Sequence, residues 1–315
     1  MIICVSANPA IDKRLMIDEL RVGEVNRTNS VTPFAGGKAA HVAMAAKALG
    51  EDVIWIGLLG GESGNEIARQ LRDLGIGVVA IPTRSATRTN LEIIARDGKI
   101  TEILEPGGAV ESAELGKFRD VFSDIVGKTG EEAIVALSGS LPPGMPVDEY
   151  YALTSSAKKA GAKVIVDASG PALTAALAGR PDLIKPNRSE AESATGISIE
   201  NPVDAIAAVR ELKERGAGAV ALTLGADGLM FCRDVEARSF VRPPKVEVIS
   251  TVGCGDATVA GFAVAMRRGL NDEDAVRLAA ACGAANCLAT LPGQITRENV
   301  EMLRGKVKLG RSFEK

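Results

Sequence analysis

The chain is poor in the residues that hold metals or form covalent staples. Its 315 residues include one histidine, His41, and five cysteines: Cys4, Cys232, Cys254, Cys282 and Cys287. No two cysteines have C-x-x-C spacing, so neither a zinc site nor a disulfide framework is expected. Thiols without a framework suit a reducing compartment, and the expectation is a cytoplasmic protein. Long apolar runs are missing too, which leaves nothing of the length a membrane span needs. The start, Met1 to Asn8, is apolar but short, has no basic flank and meets Asp12 and Lys13 at once. It reads as a buried first strand rather than a signal peptide, and the sequons at Asn26 and Asn187 lose their meaning with it. Nor is positive charge in excess. Lysine and arginine number 37 against 40 aspartates and glutamates, a net charge of −3, and the basic residues are scattered. That balance offers no field for nucleic acid or an anionic membrane. Repeats, low-complexity tracts and long linkers are absent as well.

What is present is a regular alternation. Hydrophobic residues make up 46% of the chain and charged ones 24%, enough for one large α/β domain or two smaller ones. Short apolar runs at Ile2–Ser6, Val53–Leu58, Ile134–Leu137, Val164–Asp167, Leu183–Lys185, Val220–Leu224 and Leu229–Cys232 read as strands. Amphipathic stretches at Lys38–Leu49, Gly64–Leu74, Ala113–Val126, Val147–Ala160, Pro202–Arg215, Asp256–Arg268 and Asp272–Leu288 read as helices. Several strands are apolar throughout, which implies burial on both faces. The pattern predicts an α/β fold with a doubly wound, mostly parallel sheet flanked by helices. Residues 13–34 and 87–104 break it, with apolar and polar residues alternating and no helix between. They read as half-exposed antiparallel strands forming a small separate sheet, in preference to edge hairpins of the main one.

The stretch richest in chemistry is Ser250-Thr-Val-Gly-Cys-Gly-Asp-Ala-Thr-Val-Ala-Gly261. An extended apolar segment, Val246 to Ile249, enters it, and the helix from Asp256 leaves it. Glycines at 253 and 255 let another group approach the free N–H groups at the helix start. Those donors and the helix dipole favour an anion, and Asp256 sets a carboxylate beside it. Anion donors next to a base are what phosphoryl transfer to a hydroxyl requires. An ordinary N-cap aspartate after a glycine turn is the plainer alternative. Ala35-Gly-Gly-Lys-Ala-Ala-His-Val-Ala43 opens a helix, but it is not a Walker A loop, because Ala39 follows Lys38 where Ser or Thr belongs. In Lys185-Pro-Asn-Arg-Ser-Glu190, Asn187 and Glu190 share a helical face. Their oxygens suit the water shell of Mg²⁺, and a capping box explains the same pair. Ser138-Gly-Ser-Leu-Pro-Pro-Gly144 and Asn8-Pro-Ala-Ile-Asp12 also leave strand ends, where open α/β sheets bind ligands. Together these stretches point to one shared cleft.

With these motifs the sequence resembles the PfkB, or ribokinase-like, family of carbohydrate kinases from Met1 to about Thr296. The Gly253–Asp256 helix start with Thr251 is the family's most specific signature, and Gly36-Gly37-Lys38 is its second. Asn8–Asp12, Thr87-Arg-Thr-Asn90, Ser138–Gly144, Lys185-Pro-Asn187 and Pro243-Pro-Lys245 resemble the hexose-phosphate branch. That branch contains 1-phosphofructokinase, tagatose-6-phosphate kinase and the minor type of 6-phosphofructokinase. The resemblance implies a ribokinase-like α/β core with a small β lid made by the two insertions, as a single domain over residues 1–315. It implies ATP and Mg²⁺ as cofactors and Asp256 as the base that takes the proton of the attacking hydroxyl. Backbone N–H groups of Gly253, Cys254 and Gly255 would stabilise the transferring phosphoryl group. Asn187 and Glu190 would organise Mg²⁺ and the nucleotide phosphates. Lys185, Thr223, Gly225, Gly228 and Thr251 would line the nucleotide side, with Asn286 near the adenine. Asp12, Gly37, Lys38, His41, Asn90 and Ser140 would hold the sugar. Arg88 would meet its phosphate, a task that suits a guanidinium fork, and Arg27 is a second cation for that role. A homodimer joined through the lid is implied too.

Three departures from the family pattern stand out. The usual Gly-Gly-Lys-Gly-Ile-Asn becomes Gly-Gly-Lys-Ala-Ala-His, so His41 stands where an asparagine touches the sugar. A neutral imidazole offers one donor and one acceptor in a different geometry from an amide; a helix residue turned away from the cleft is the other reading. Cys254 replaces the usual alanine and Ala257 the usual serine, and neither change removes a backbone N–H or the base. Cys254, at a helix start but beside the Asp256 carboxylate, is expected to be a moderately reactive thiol, faster than the other four. The expected activity is ATP-dependent phosphorylation of a phosphorylated ketohexose: fructose 1-phosphate, fructose 6-phosphate or tagatose 6-phosphate. A kinase of a non-phosphorylated sugar or nucleoside would leave Arg88 without a task. A non-catalytic sugar-phosphate sensor would leave Asp256, the glycine turn and Asn187/Glu190 without one. A dinucleotide-dependent oxidoreductase lacks its glycine fingerprint after the first strand.

Overall fold

Every residue of β1 (Ile2–Ser6) is buried, because the strand has helices on both sides. Ile2 and Cys4 point into one core, and Ile3 and Val5 into the other. This two-sided burial is what a continuously apolar strand encodes. The computed structural model describes residues 1–234 and 238–310. The further strands are β2 (Ala10–Ile17), β3 (Ser30–Gly36), β4 (Val53–Leu59), β5 (Gly77–Pro82), β6 (Arg88–Ala95), β7 (Ile100–Leu104), β8 (Ile134–Ser138), β9 (Lys163–Asp167), β10 (Leu183–Ile184), β11 (Val220–Thr223), β12 (Leu229–Cys232), β13 (Ser239–Arg242) and β14 (Lys308–Gly310). The helices are α1 (Lys38–Ala48), α2 (Gly61–Asp73), α3 (Ser112–Thr129), α4 (Glu149–Lys159), α5 (Gly170–Leu177), α6 (Arg188–Thr195), α7 (Pro202–Glu214), α8 (Cys254–Arg267), α9 (Asp272–Cys287) and α10 (Arg297–Arg304).

The large sheet runs β14-β13-β12-β11-β10-β9-β8-β1-β4-β5. It is parallel from β11 to β5 and antiparallel from β11 to β14. One face is covered by α1, α2, α8, α9 and α10, the other by α3 to α7. The helices nearest the site pack closely through small side chains. A Cβ on Gly261 of α8 would lie 2.5 Å from the Ala279 Cα of α9, so only glycine lets these helices meet. From β1 the chain moves to β4 on one side and later to β8 on the other. The carboxyl ends of β1 and β8 therefore flank the switch point where such sheets open a crevice.

The second sheet has the order β3-β2-β6-β7. Its strands fall at 10–17, 30–36, 88–95 and 100–104, so pairing starts three residues before the expected insertion. All pairs were expected to be antiparallel, but β2 and β6 pair in parallel. Each of them opens a separate excursion from the main sheet, and the two enter side by side in the same direction. This register sets Asp12 beside Asn90 and Arg14 beside Glu92. Arg14 and Glu92 are buried and joined by two hydrogen bonds, at 2.8 and 2.9 Å.

Other elements depart from the sequence reading. β5, β13, β14, α5 and α10 were not expected. The segment Val246–Ile249 belongs to no strand, and Val248 and Ile249 are exposed. The Ile249 N–H donates to the Cys287 carbonyl, which fixes the segment on α9 instead of in the sheet. α8 begins at Cys254, two residues before Asp256, because Gly253 supplies the turn.

Candidate active site

The start of α8 is set by Gly253, the N-cap, whose φ of 80° is left-handed. A Cβ there would meet Pro292 Cβ at 2.7 Å, so the position needs glycine for both backbone and space. Gly255 and Asp256 follow in the first turn, where N–H groups have no intrahelical acceptor. The Cys254 N–H instead turns back to the Thr251 carbonyl at 3.3 Å, so it is not among the free donors as expected. Asp256 is the third residue of the helix and caps nothing, which removes the N-cap reading. It is buried, and its Oδ2 lies 2.8 Å from Nδ1 of His41 on α1.

His41 faces the second sheet as well. Its Nε2 is 3.7 Å from Oδ2 of Asp12, so it does not turn away from the cleft. Asp12 accepts a hydrogen bond from Asn90 Nδ2 at 2.8 Å through its other oxygen. Gly36 on the neighbouring strand has no room for a side chain: a Cβ would fall 2.1 Å from Asp12 Cγ. Burial pushes the Asp12 carboxyl up, only partly countered by His41, Asn90, the Gly37 backbone and Arg88. Burial alone would push His41 down, but its hydrogen bond to Asp256 and the charges of Asp256, Asp12 and Glu92 lift it above the ordinary histidine value.

Arg88, at the start of β6, donates to the carbonyls of Glu105 (2.6 Å) and Asn8 (3.0 Å). Asn8 in turn donates to Ser140 Oγ at 3.1 Å and to the Pro106 carbonyl at 3.0 Å. On the opposite side, Lys38 and Lys185 each place Nζ 3.3 Å from Oδ1 of Asp167, at the end of β9. Lys38 is also 3.5 Å from Glu190. A Cβ on Gly255 would lie 3.3 Å from Lys185 Nζ, so that ammonium stands against the glycine turn. Asn187 and Glu190 form the capping box of α6, each side chain bound to the other's backbone N–H. Thr223 pairs with Asn187, and Gly225 and Gly228 follow it.

One cleft collects these groups. It is lined by every residue assigned to the site above from the resemblance, Asn286 and Arg27 excepted. Asn286 is buried, donates to the Val252 carbonyl at 2.7 Å and accepts from the Gly293 N–H at 2.8 Å. Both ends of its amide tie loops together, so its side chain braces the cleft wall instead of lining the cleft. Arg27 is exposed outside the cleft.

Residues 4–297 match the family described as pfkB family carbohydrate kinase. The chain belongs to that family. Among its relatives is 1-phosphofructokinase of Rhodobacter capsulatus, 36% identical over 278 residues, spanning 88% of this chain and 87% of that one. Another is 1-phosphofructokinase of Haloferax volcanii, 37% identical over 279 residues, with 88% of each chain covered. Phosphofructokinase-2 from Escherichia coli, in its complex with fructose-6-phosphate, superposes with a TM-score of 0.89 at 28% identity, covering 97% of this chain and 98% of that one. The fold is accordingly the ribokinase-like α/β fold with its smaller second sheet, and the chain is a carbohydrate kinase.

For this pfkB kinase the sequence reading missed one group in the cleft. Asp167 was seen only as the end of a strand. Burial would push its carboxyl up, yet the charges of Lys185 and Lys38 outweigh that and hold it low. Its other oxygen, Oδ2, is buried without a hydrogen-bond partner. The available signal was its place at the carboxyl end of a parallel strand. Mg²⁺ carried on nucleotide phosphates keeps most of its waters and needs only one or two carboxylates from protein. Glu190 and the unpartnered Asp167 oxygen fit that demand. Among the described residues, no cluster of three or more metal-binding side chains exists and no helix is long and apolar enough to cross a membrane.

Proposed function

We propose that this pfkB kinase transfers the γ-phosphoryl group of Mg·ATP to fructose 1-phosphate, giving the bisphosphate. The observation that carries the reading is the cleft itself: it holds a buried carboxylate at an anion-binding helix start, and a guanidinium on the second sheet. Asp256 takes the proton of the primary hydroxyl as the oxygen attacks. The first-turn N–H groups of α8, with Lys185 beside Gly255, stabilise the charge on the transferring group. Arg88 holds the phosphate already on the sugar, and Asp12, Asn90, Gly37, Lys38 and Ser140 orient its hydroxyls. Thr223, Gly225, Gly228 and Thr251 border the nucleotide. Mg²⁺, held through water by Glu190 with Asn187 and Asp167 beside it, would neutralise phosphate charge. The four-stranded sheet acts as a lid that keeps water from the reaction, all within one domain. Both curated relatives bear the name 1-phosphofructokinase, which favours fructose 1-phosphate over fructose 6-phosphate. Exposed Val31 and Ile103 on the second sheet support a homodimer joined there, and consumption of ATP and a sugar phosphate suits a cytoplasmic enzyme.

A coupled ADP-release assay over fructose 1-phosphate, fructose 6-phosphate, tagatose 6-phosphate, fructose and ribose tests the assignment. The highest kcat/KM is expected with fructose 1-phosphate. A higher value with an unphosphorylated sugar would overturn it, as would sugar-phosphate binding without ADP release.

A further inference from the structure

The only histidine in the chain is buried between two carboxylates that come from opposite sides of the cleft. His41 is 4% exposed. Nδ1 is 2.8 Å from Asp256 on α8, and Nε2 is 3.7 Å from Asp12 on β2, with no hydrogen-bond partner of its own. We propose that His41 is a positioning residue, an imidazolium that links the base Asp256 to the sugar-side carboxylate Asp12 and fixes which oxygen of Asp256 meets the acceptor hydroxyl. The inference rests on the kinase reading above.

The two neutral tautomers each leave a fault. With the proton on Nδ1, the lone pair of Nε2 faces the Asp12 carboxylate inside the protein. With the proton on Nε2, the lone pair of Nδ1 faces Asp256 at 2.8 Å. Either sets acceptor against acceptor in a buried site, which is costly. The imidazolium donates in both directions and removes both faults. The surroundings are acidic on three elements: Asp256 on α8, Asp12 on β2 and Glu92 on β6, with Glu102 of β7 also in range. Of the cations around these carboxylates, Arg14 is committed to Glu92 by two hydrogen bonds, Arg88 acts on Asp12, and Lys38 interacts with Asp256. Phe34 of β3 stacks on the ring at a centroid distance of 6.4 Å and adds no charge.

The functional consequence is orientational. Nδ1–H occupies Oδ2 of Asp256, so Oδ1 is the oxygen free to accept the hydroxyl proton. On the other side Nε2–H is directed at Oδ2 of Asp12, the carboxylate that faces the sugar. One side chain then registers both the base and the sugar, and a misplaced base is expensive in rate.

Because the chain holds a single histidine, its imidazole can be read directly. Nitrogen-15 NMR of histidine-labelled protein should show both ring nitrogens protonated at pH 7, with a midpoint above the ordinary value of about 6.5. Asp256→Asn and Asp12→Asn should each lower that midpoint. A neutral ring at pH 7, or a midpoint unmoved by both substitutions, would overturn the proposal. This measurement needs no turnover, so a failure of the kinase reading in the ADP assay stays separate from it. In kinetics, His41→Ala should lower kcat by roughly tenfold or more with KM for ATP unchanged. His41→Asn, whose amide N–H can replace the Nδ1–H donor, should restore most of kcat but not KM for the sugar phosphate. Equal kcat in the alanine and asparagine variants would contradict the link to Asp256.

Discussion

The Sγ atoms of Cys254 and Cys287 lie 3.1 Å apart, the first at the start of α8 and the second at the end of α9. The two thiols share a hydrogen bond, which pushes the Cys287 thiol down, against the effect of burial, and pushes Cys254 up. That direction favours Cys287 as the more nucleophilic thiol, against the expectation that Cys254 reacts first. Iodoacetamide should label Cys287 first, and Mg·ATP should protect it because both thiols line the cleft. A hydroperoxide should join the pair: two thiol hydrogens leave with one peroxide oxygen as water, and the other oxygen stays in the alcohol. Peptide mass mapping should find the 254–287 link and a thiol reductant should restore activity. A label confined to Cys254 would refute the assignment.

Asp256→Asn should lower kcat by roughly a hundredfold or more while KM for both substrates changes little. The amide still fills the space beside His41, so the fold should hold, as circular dichroism would verify. Near-normal kcat would remove Asp256 from the role of base.

Arg88→Ala should raise KM for the sugar phosphate far more than KM for ATP. The loss of charge-assisted hydrogen bonds should cost about 1.5–3 kcal/mol in kcat/KM for that substrate. Arg88→Lys should recover only part, because an ammonium lacks the fork. Equal effects on both substrates would move Arg88 out of the sugar site.

Asp167 gives the enzyme an acid-sensitive link. Its carboxyl is held low in the folded chain by Lys185 and Lys38. A depressed carboxyl contributes stability that is present above its unfolded value, about 3.9, and is lost as pH falls through the folded value. Asp167→Asn leaves the buried Lys185 without its partner and should destabilise the protein at pH 7 by about 3 kcal/mol. The difference in Tm between parent and variant should shrink as pH is lowered from 5 towards 3. A difference independent of pH would show that the charge of Asp167 is not what holds the site.

The strands buried on both faces were legible because nothing in them had to alternate, as in Ile2-Ile-Cys-Val-Ser6. β5 was not, since it lies at the sheet edge with Gly77 and Ala80 exposed and only Ile81 buried. The parallel pairing of β2 with β6 is set by where two distant segments enter the second sheet, which no local pattern records. At the site, the glycine spacing around Gly253 announced a backbone requirement that any reader of the chain can see. Asp167 announced nothing, because a lone strand-end aspartate acquires its meaning only when Lys38, 129 residues away, and Lys185 fold against it. Asn286 was placed by the resemblance alone, and only the folded chain shows that its amide ties two loops together.

Arg88 also braces the passages between the two sheets. The chain crosses from the large sheet to the small one after β1 and returns after β3, then crosses again before β6 and returns after β7. Arg88, at the third crossing, grips the Asn8 carbonyl at the first and the Glu105 carbonyl at the last. If Arg88 meets the sugar phosphate as proposed, drawing the guanidinium away would loosen both grips at once and couple filling of the sugar site to release of the small sheet. A sugar without that phosphate leaves the brace fastened.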